Sequence, residues 1–380
     1  TKGSVTLAND GRLESESGDI IVSAATSLVV NNPTVTHATA PAGTLVIKKP
    51  TARASVTGLG ASGEILNSNV LVSFGGGVGG GGYTPNSSTI PVYFEPAPFG
   101  GTNAEGFGLT NASGEITFIN ITNSGAGYDP LDLPEITISD PTFGPSVDSL
   151  KTDVLKIDAI VSSSLNIVEA NDIELVRAQT NGKPIVLEAG GITQSGALIA
   201  PTLTVTNVAG DVILNNTSND VPSIEIANPT GNVTYTNASA TKTDIAASGI
   251  QGVNVVLNTE NGLTQTGAIT ATSLDVNNSA GAVDLTNAAN SLTSVAIANA
   301  GNSVSFTNSA ATNISTEGVQ GSTVILNTAG LTQQGAITAT SLDVNNSAGA
   351  VVLTNAANSL TDVAIANAGN SVSFTNSAAT

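Results

Sequence analysis

The sequence predicts an all-β protein: a parallel β-solenoid carrying a small inserted all-β module. Three observations carry that expectation. Long blocks recur almost unchanged, short alternating strands recur inside each block, and turn residues separate the strands. No stretch shows the apolar period of a helix.

The blocks come first. Gly262–Thr312 and Gly330–Thr380 agree at 48 of 51 positions at an offset of 68, differing only at Thr266/Gln334, Asp284/Val352 and Ser294/Asp362. An older copy opens at Gly191 with GITQSGALIAPTLTVTN, so three related blocks, starting near residues 191, 262 and 330, fill residues 182–380. Inside them an apolar-x-apolar-x-Asn phrase begins at Leu203, Val212, Ile224 and Val233. It returns at Leu274, Val283, Val295 and Val304, and at Leu342, Val351, Val363 and Val372, always spaced 9, 12 and 9. Alternation over five positions is a strand with one buried face, and the Asn-Ser, Asn-Ala and Ala-Gly pairs between strands are turn chemistry. A unit of about 21 residues with two or three such strands is one coil of a solenoid. Each strand offers too few inward residues to fill the core of a sandwich domain, and no large aromatic centres one.

Stacking places like residues over like about 4.8 Å apart. The recurrent strand-end asparagines are therefore expected to form side-chain amide ladders. They are Asn207, Asn216, Asn228 and Asn237, then Asn278, Asn287, Asn299 and Asn308, then Asn346, Asn355, Asn367 and Asn376. The plainer role for each is that of a turn former.

Residues 1–52 carry strands of the same kind (GSVTLAN, GDIIVSA, GTLVIKK) and read as N-terminal coils; residues 146–380 resume the solenoid. Between them, residues 53–145 are dense in Gly and hold most of the Pro, Tyr and Phe, with an internal duplication: ASGE from Ala61 and from Ala112, and Gly-Tyr-x-Pro at Gly82 and Gly127. This stretch reads as an inserted Gly/Pro/Tyr-rich β module exposed on the solenoid, where Tyr83, Tyr93, Phe94, Phe107 and Tyr128 are candidate partner contacts.

Composition narrows the chemistry. The 380 residues include 29 Asp+Glu, 10 Lys+Arg, one His and no Cys, Met or Trp, for a net charge of −19. No disulfide, thiolate metal site or Cys nucleophile is possible. The negative charge argues against nucleic acid as partner, and no apolar run is long enough to insert in a membrane as a helix. After Lys242 no Lys, Arg or His remains, so that region cannot clamp a phosphate or carboxylate. The Gly75–Gly82 run lacks the Lys-Ser/Thr of a phosphate loop. Asp129, Asp132, Glu135 and Asp140 form an oxygen-rich stretch that is a weak calcium candidate without a calcium-loop spacing; no other cofactor is expected. His37 is the single place for a histidine-dependent triad. Near-identical repetition favours a scaffold over an enzyme, because an active site must break symmetry.

The phrases GGITQSGALIAPTLTVTN, NGLTQTGAITATSLDVNNSAGAVDLTNAANS and AGLTQQGAITATSLDVNNSAGAVVLTNAANS resemble the repeats of filamentous haemagglutinin-like, two-partner-secreted adhesins and of S-layer-type bacterial surface β-strand repeat proteins. The resemblance covers residues 182–380 and implies a right-handed parallel β-helix, export, and a role as stalk, fibre or surface coat. The expectation is a bacterial extracellular or cell-surface structural protein whose main partner is itself. It forms a fibre, sheath or surface layer and continues beyond Thr380. The alternative is an adhesin binding a glycan or protein through the β module.

Overall fold

The computed structural model describes residues 5–7, 12–16, 18–23, 27–30, 35–48, 53–73, 83, 86–98, 100–112, 116–138, 146–147, 149–207, 209–367 and 369–377. Among them there is no α-helix; apart from one short 3-10 turn at Asn67–Asn69, the elements are all strands. The chain divides into two compact units, residues 1–154 with 158–166, and residues 155–157 with 167–380. The N-terminal strands and the β module thus fall in one unit.

In the first unit the early strands pair in parallel with partners one coil away. Val5–Leu7 runs beside Ser27–Val30, and Ile20–Ser23 beside Leu45–Lys48. Ser27–Leu28 also pairs with Ser146–Val147. Two strands far apart in sequence are therefore hydrogen-bonded neighbours, and residues 53–138 are looped out between them. Those residues form a six-stranded antiparallel sheet in the order Ile116–Asn123, Glu105–Thr110, Ile90–Phe94, Glu135–Ile138, Arg53–Val56 and Val70–Ser73. Its own core gathers Ile65, Ile116, Ile119, Ile138, Tyr83 and Tyr128.

The second unit is a β-solenoid. Ile173 pairs in parallel with Ile192, and the chain of partners climbs through Val212, Val233, Val255, Leu274, Val295 and Ile314. The strands at Leu331, Val351 and Val372 continue it, giving eleven levels. A second stack climbs from Ile185 through Leu203, Ile224, Ile245, Leu263, Val283, Val304, Val324, Leu342 and Val363. Each coil takes 18 to 22 residues and contributes one strand to each stack. The residues named in the two stacks are inward and, over most of the unit, less than 2% exposed. Alternation supplies them: Val233, Tyr235 and Asn237 face in while Thr234 and Thr236 face out.

The sequence block is not a whole number of coils. Seven parallel steps lead from the strand Ile192–Gln194 to Leu331–Gln333, both in the first stack. The equivalent strand of the middle block, Leu263–Gln265, stands in the second stack. One block is thus three and a half coils, and successive blocks place equivalent residues on alternate faces.

Candidate functional site

What the solenoid repeats is a network of buried amides. Asn207 Nδ2 donates to Asn228 Oδ1 at 2.9 Å, Asn278 to Asn299 at 2.9 Å and Asn346 to Asn367 at 2.8 Å. These ladders are two rungs deep rather than continuous. The upper asparagine of each pair turns its own amide back into its loop, on the carbonyls of Asn232, Ser303 and Ser371. The other expected ladder positions bond to backbone. Asn237, Asn308 and Asn376 each accept a neighbouring coil's N–H, from Val221, Leu292 and Leu360 at 3.0 Å. Asn216, Asn287 and Asn355 close Asx turns on the N–H two residues ahead and donate to the carbonyls of Ser195, Thr266 and Gln334.

The most heavily bonded groups escaped the sequence reading. Asn219, Asn290 and Asn358 are at most 1% exposed. Asn290 exchanges two hydrogen bonds with Gln265, each 2.8 Å. It also accepts the Ile269 N–H at 2.8 Å and donates to the carbonyls of Leu285 and Thr307. Gln194 with Asn219 and Gln333 with Asn358 repeat the clasp. The glutamine further donates to the carbonyl of the glycine two residues on, Gly196, Gly267 or Gly335. The signal was present as a Gln-x-Gly followed by Asn at an offset of 25 in all three blocks. Satisfied this fully, a buried amide fixes the register of three coils; left unpaired it costs about 1–3 kcal/mol per group.

In the second and third blocks the glycine of that motif, Gly267 or Gly335, lies against a bulge in the preceding coil. Ile226 pairs with Ile250 although Ile224 pairs with Ile245, so Ala246–Gly249 loop outward; Ser315–Gly318 do the same one block later. A third row is exposed: Asn277 Nδ2 donates to Asn258 Oδ1, and Asn258 Nδ2 to Thr236 Oγ1, each 3.1 Å.

Among the ladder asparagines, one buried acceptor is orphaned. Asn278 Oδ1 accepts from Thr259 Oγ1 at 2.8 Å, and Asn346 from Thr328 at 3.3 Å. Asn207 Oδ1 has no partner, because Ala189 stands beside it in the register. Ala189→Thr is expected to supply the hydroxyl and raise stability by about 1 kcal/mol, read as a higher urea midpoint. An unchanged or lower midpoint would refute this account of the orphan.

The titratable groups act locally. Hydrogen bonding from Lys156 at 2.8 Å holds the Glu174 carboxyl below the usual carboxylate range. Burial pushes the Tyr235 hydroxyl up, and it donates to the Val221 carbonyl. Burial, then the nearby Glu317, raises Asp275 above an ordinary aspartate. An acid raised in the folded state binds its proton more tightly there than when unfolded, so its ionisation erodes stability as pH climbs through the carboxylate range. Asp275→Asn is accordingly expected to raise the melting temperature at pH 7 and to bring no gain at pH 2; the reverse order would sink it.

In the module, the structure corrects part of the partner-contact expectation. Tyr83 and Tyr128 are core residues, 4% and 5% exposed. The Tyr128 hydroxyl accepts the Ala104 N–H at 2.9 Å and donates to the Glu95 carbonyl at 3.1 Å, so its polar end is occupied inside the fold. Phe94 packs partly buried against the same core and Phe107 is half-buried. Tyr93, at 64%, is exposed, and Leu71, Phe118 and Leu131 are also exposed. Of the calcium candidates, Asp129 caps its own turn by accepting the Leu131 N–H at 2.8 Å, and the Glu135 N–H donates to Glu95 Oε2 at 3.1 Å. Asp140 and the Gly75–Gly82 run lie outside the described residues. Among the described residues no three carboxylate or imidazole groups come together as a metal site. His37 is buried and its Nδ1 accepts the Lys151 N–H at 2.9 Å, a backbone-holding role.

Comparison with known families agrees with this repeat. Residues 162–225 and 230–299 match a family described as repeats of unknown function (DUF5649). The two matched segments begin 68 residues apart, the offset of the near-identical blocks. No curated protein and no solved structure matches the chain.

Proposed function

We propose that this chain is a bacterial extracellular or cell-surface structural repeat protein that forms a fibre, sheath or surface layer, in the manner of the haemagglutinin-like and S-layer-type repeats it resembles. The observation that carries this reading is the Gln–Asn clasp, repeated in three blocks with the same partners. The buried amides of the repeat spend their donors and acceptors holding coil to coil. The repeat is thus specialised for rigidity, not for a convergent site. The absence of oxidisable Cys and Met suits life outside the cell, and the charge of −19 keeps nucleic acid out of the partner set. Electron micrographs of the purified chain test the reading. Fibres or sheets with a fine axial repeat support it, and monodisperse single particles at every concentration refute it.

A second reading, an adhesin binding a glycan or protein through the module, is favoured by the exposed Tyr93. An aromatic ring left in solvent is a common feature of contact surfaces. Tyr93→Ala is expected to abolish capture on a glycan or host-protein array while leaving assembly intact; unchanged capture, or none by the parent chain, removes this reading.

A further inference from the structure

We propose that the solenoid binds a neutral polysaccharide chain in a groove beside its exposed amide row. The groove holds a cavity of about 300 Å³ whose lining includes Thr236, Asn258, Glu260, Asn277, Ser279 and Ala298, at the lower end of ligand-pocket volumes. Thr236, Asn258, Asn277 and Ala298 are register partners on four successive coils. Three steps of about 4.8 Å make the groove about 14 Å long, a shape for an extended chain.

The buried amides of the repeat are engaged with one another, but the groups of this row keep bonding capacity. Asn277 Nδ2 donates to Asn258 Oδ1, and Asn258 Nδ2 to Thr236 Oγ1, which fixes the side chains in place. An amide has two donors and two acceptor lone pairs, and a hydroxyl has one donor and two lone pairs. The Thr236 O–H, the second Asn258 N–H and the remaining lone pairs of Asn258 and Asn277 are left for a ligand. Beside them Glu260 is exposed, and its carboxylate makes no hydrogen bond or ion pair among the described residues. Sugar hydroxyls both donate and accept, so they match this mixed row, and a carboxylate accepts from two hydroxyls at once. No Lys, Arg or His follows Lys242, so an anionic ligand has nothing to pair with and is repelled by Glu260. An apolar ligand would desolvate the amides without replacing their bonds. A peptide strand turns every second backbone group away from the groove.

The third block supplies an internal control. It reads Asn327-Thr328-Ala329-Gly330 where the second reads Asn258-Thr259-Glu260-Asn261-Gly262, so the carboxylate is missing. Its row is also interrupted: Asn327 donates to Thr307 at 3.1 Å, but Asn345 bonds within its own strand to Asp343 at 3.4 Å. The proposal adds a binding activity to the structural role and rests on neither that role nor the module.

Calorimetric titration of the full chain with neutral hexasaccharides of glucose, mannose, xylose and N-acetylglucosamine tests it. At least one should bind, and Glu260→Ala should weaken that binding at least about tenfold. Asn258→Ala should weaken it too, whereas Asn327→Ala in the third block should not. Glu260 is exposed, so Glu260→Ala should melt in urea with the wild type, and Glu260→Gln, which keeps the size and removes the charge, should still bind less well than the parent. Tyr93→Ala sets this site apart from the module reading and should leave the affinity unchanged. Failure of all four sugars to bind, or binding indifferent to both Glu260 variants, would overturn the proposal without touching fibre formation. Binding lost only in Tyr93→Ala would overturn it in favour of the module. Tighter binding of hexagalacturonate, the charged counterpart, or of a Thr-Val repeat peptide would overturn the ligand class.

Discussion

Asn290→Leu is expected to lower the stability of the solenoid by at least about 3 kcal/mol. The substitution removes the side-chain partner of the Ile269 N–H and of the Leu285 and Thr307 carbonyls, and one hydrogen bond from each end of the Gln265 amide, in a site with 0% exposure. Leucine keeps the branching at Cγ and is the larger side chain, so no cavity is left to account for the loss. Asn287, three residues earlier in the same NAAN phrase, is the matched control. Its side chain caps an exposed turn, and Asn287→Ala should cost about 1 kcal/mol or less. Urea melts of the two variants decide the matter. Equal midpoints would mean that the clasp is not what holds the coils in register.

Gly267→Ala ranks next. A Cβ there would stand 2.1 Å from the Ala246 carbonyl oxygen and 2.3 Å from the Gly249 nitrogen, both backbone atoms of the bulge in the coil before. Backbone cannot swing away as a side-chain tip would, so either the bulge opens or the coils part. The expected cost is at least about 2 kcal/mol, with faster amide exchange across Ile245–Gln251. Gly335→Ala, under the second bulge, should behave alike, since its Cβ would meet the Ser315 oxygen at 2.2 Å. Gly301→Ala sets the scale for conformation alone: φ is +78° but nothing stands within 4 Å, so about 1 kcal/mol is expected. A Gly267→Ala protein as stable as Gly301→Ala would refute the close approach.

The architecture was largely legible because solenoids write their geometry as repetition. The 9-12-9 spacing of Val, Leu and Ile placed the strands, and stacking followed. The module was legible as a change in composition at about residue 53, and its return point was visible in VLKIDAI. The amide chemistry was read only in part. Asn207 and Asn228 stand out because each ends an alternating strand, and they do ladder. Asn219 sits in a loop with no alternation around it, and its partner Gln194 is on another coil; only their common offset across the blocks joins them. Tyr128 misled because an aromatic between Gly and Pro looks exposed in sequence. Its hydroxyl is used up by Ala104 and Glu95, a tertiary fact that no local pattern records. The alternation of faces was hidden as well, since a 68-residue period looks the same whether it spans three coils or three and a half.

That fraction has a consequence for chain length. Blocks this alike in amino-acid sequence invite comparison of chains that differ by whole copies. Each added copy would lengthen the solenoid by about 17 Å, three and a half coil spacings, and the fold would accept it, because either stack can receive the same strand. Yet the parity of the copy number would change. With one copy more, everything downstream emerges rotated by half a coil; with two, it returns to its original side. Length in this protein grows by one step per copy, while orientation only alternates between two values.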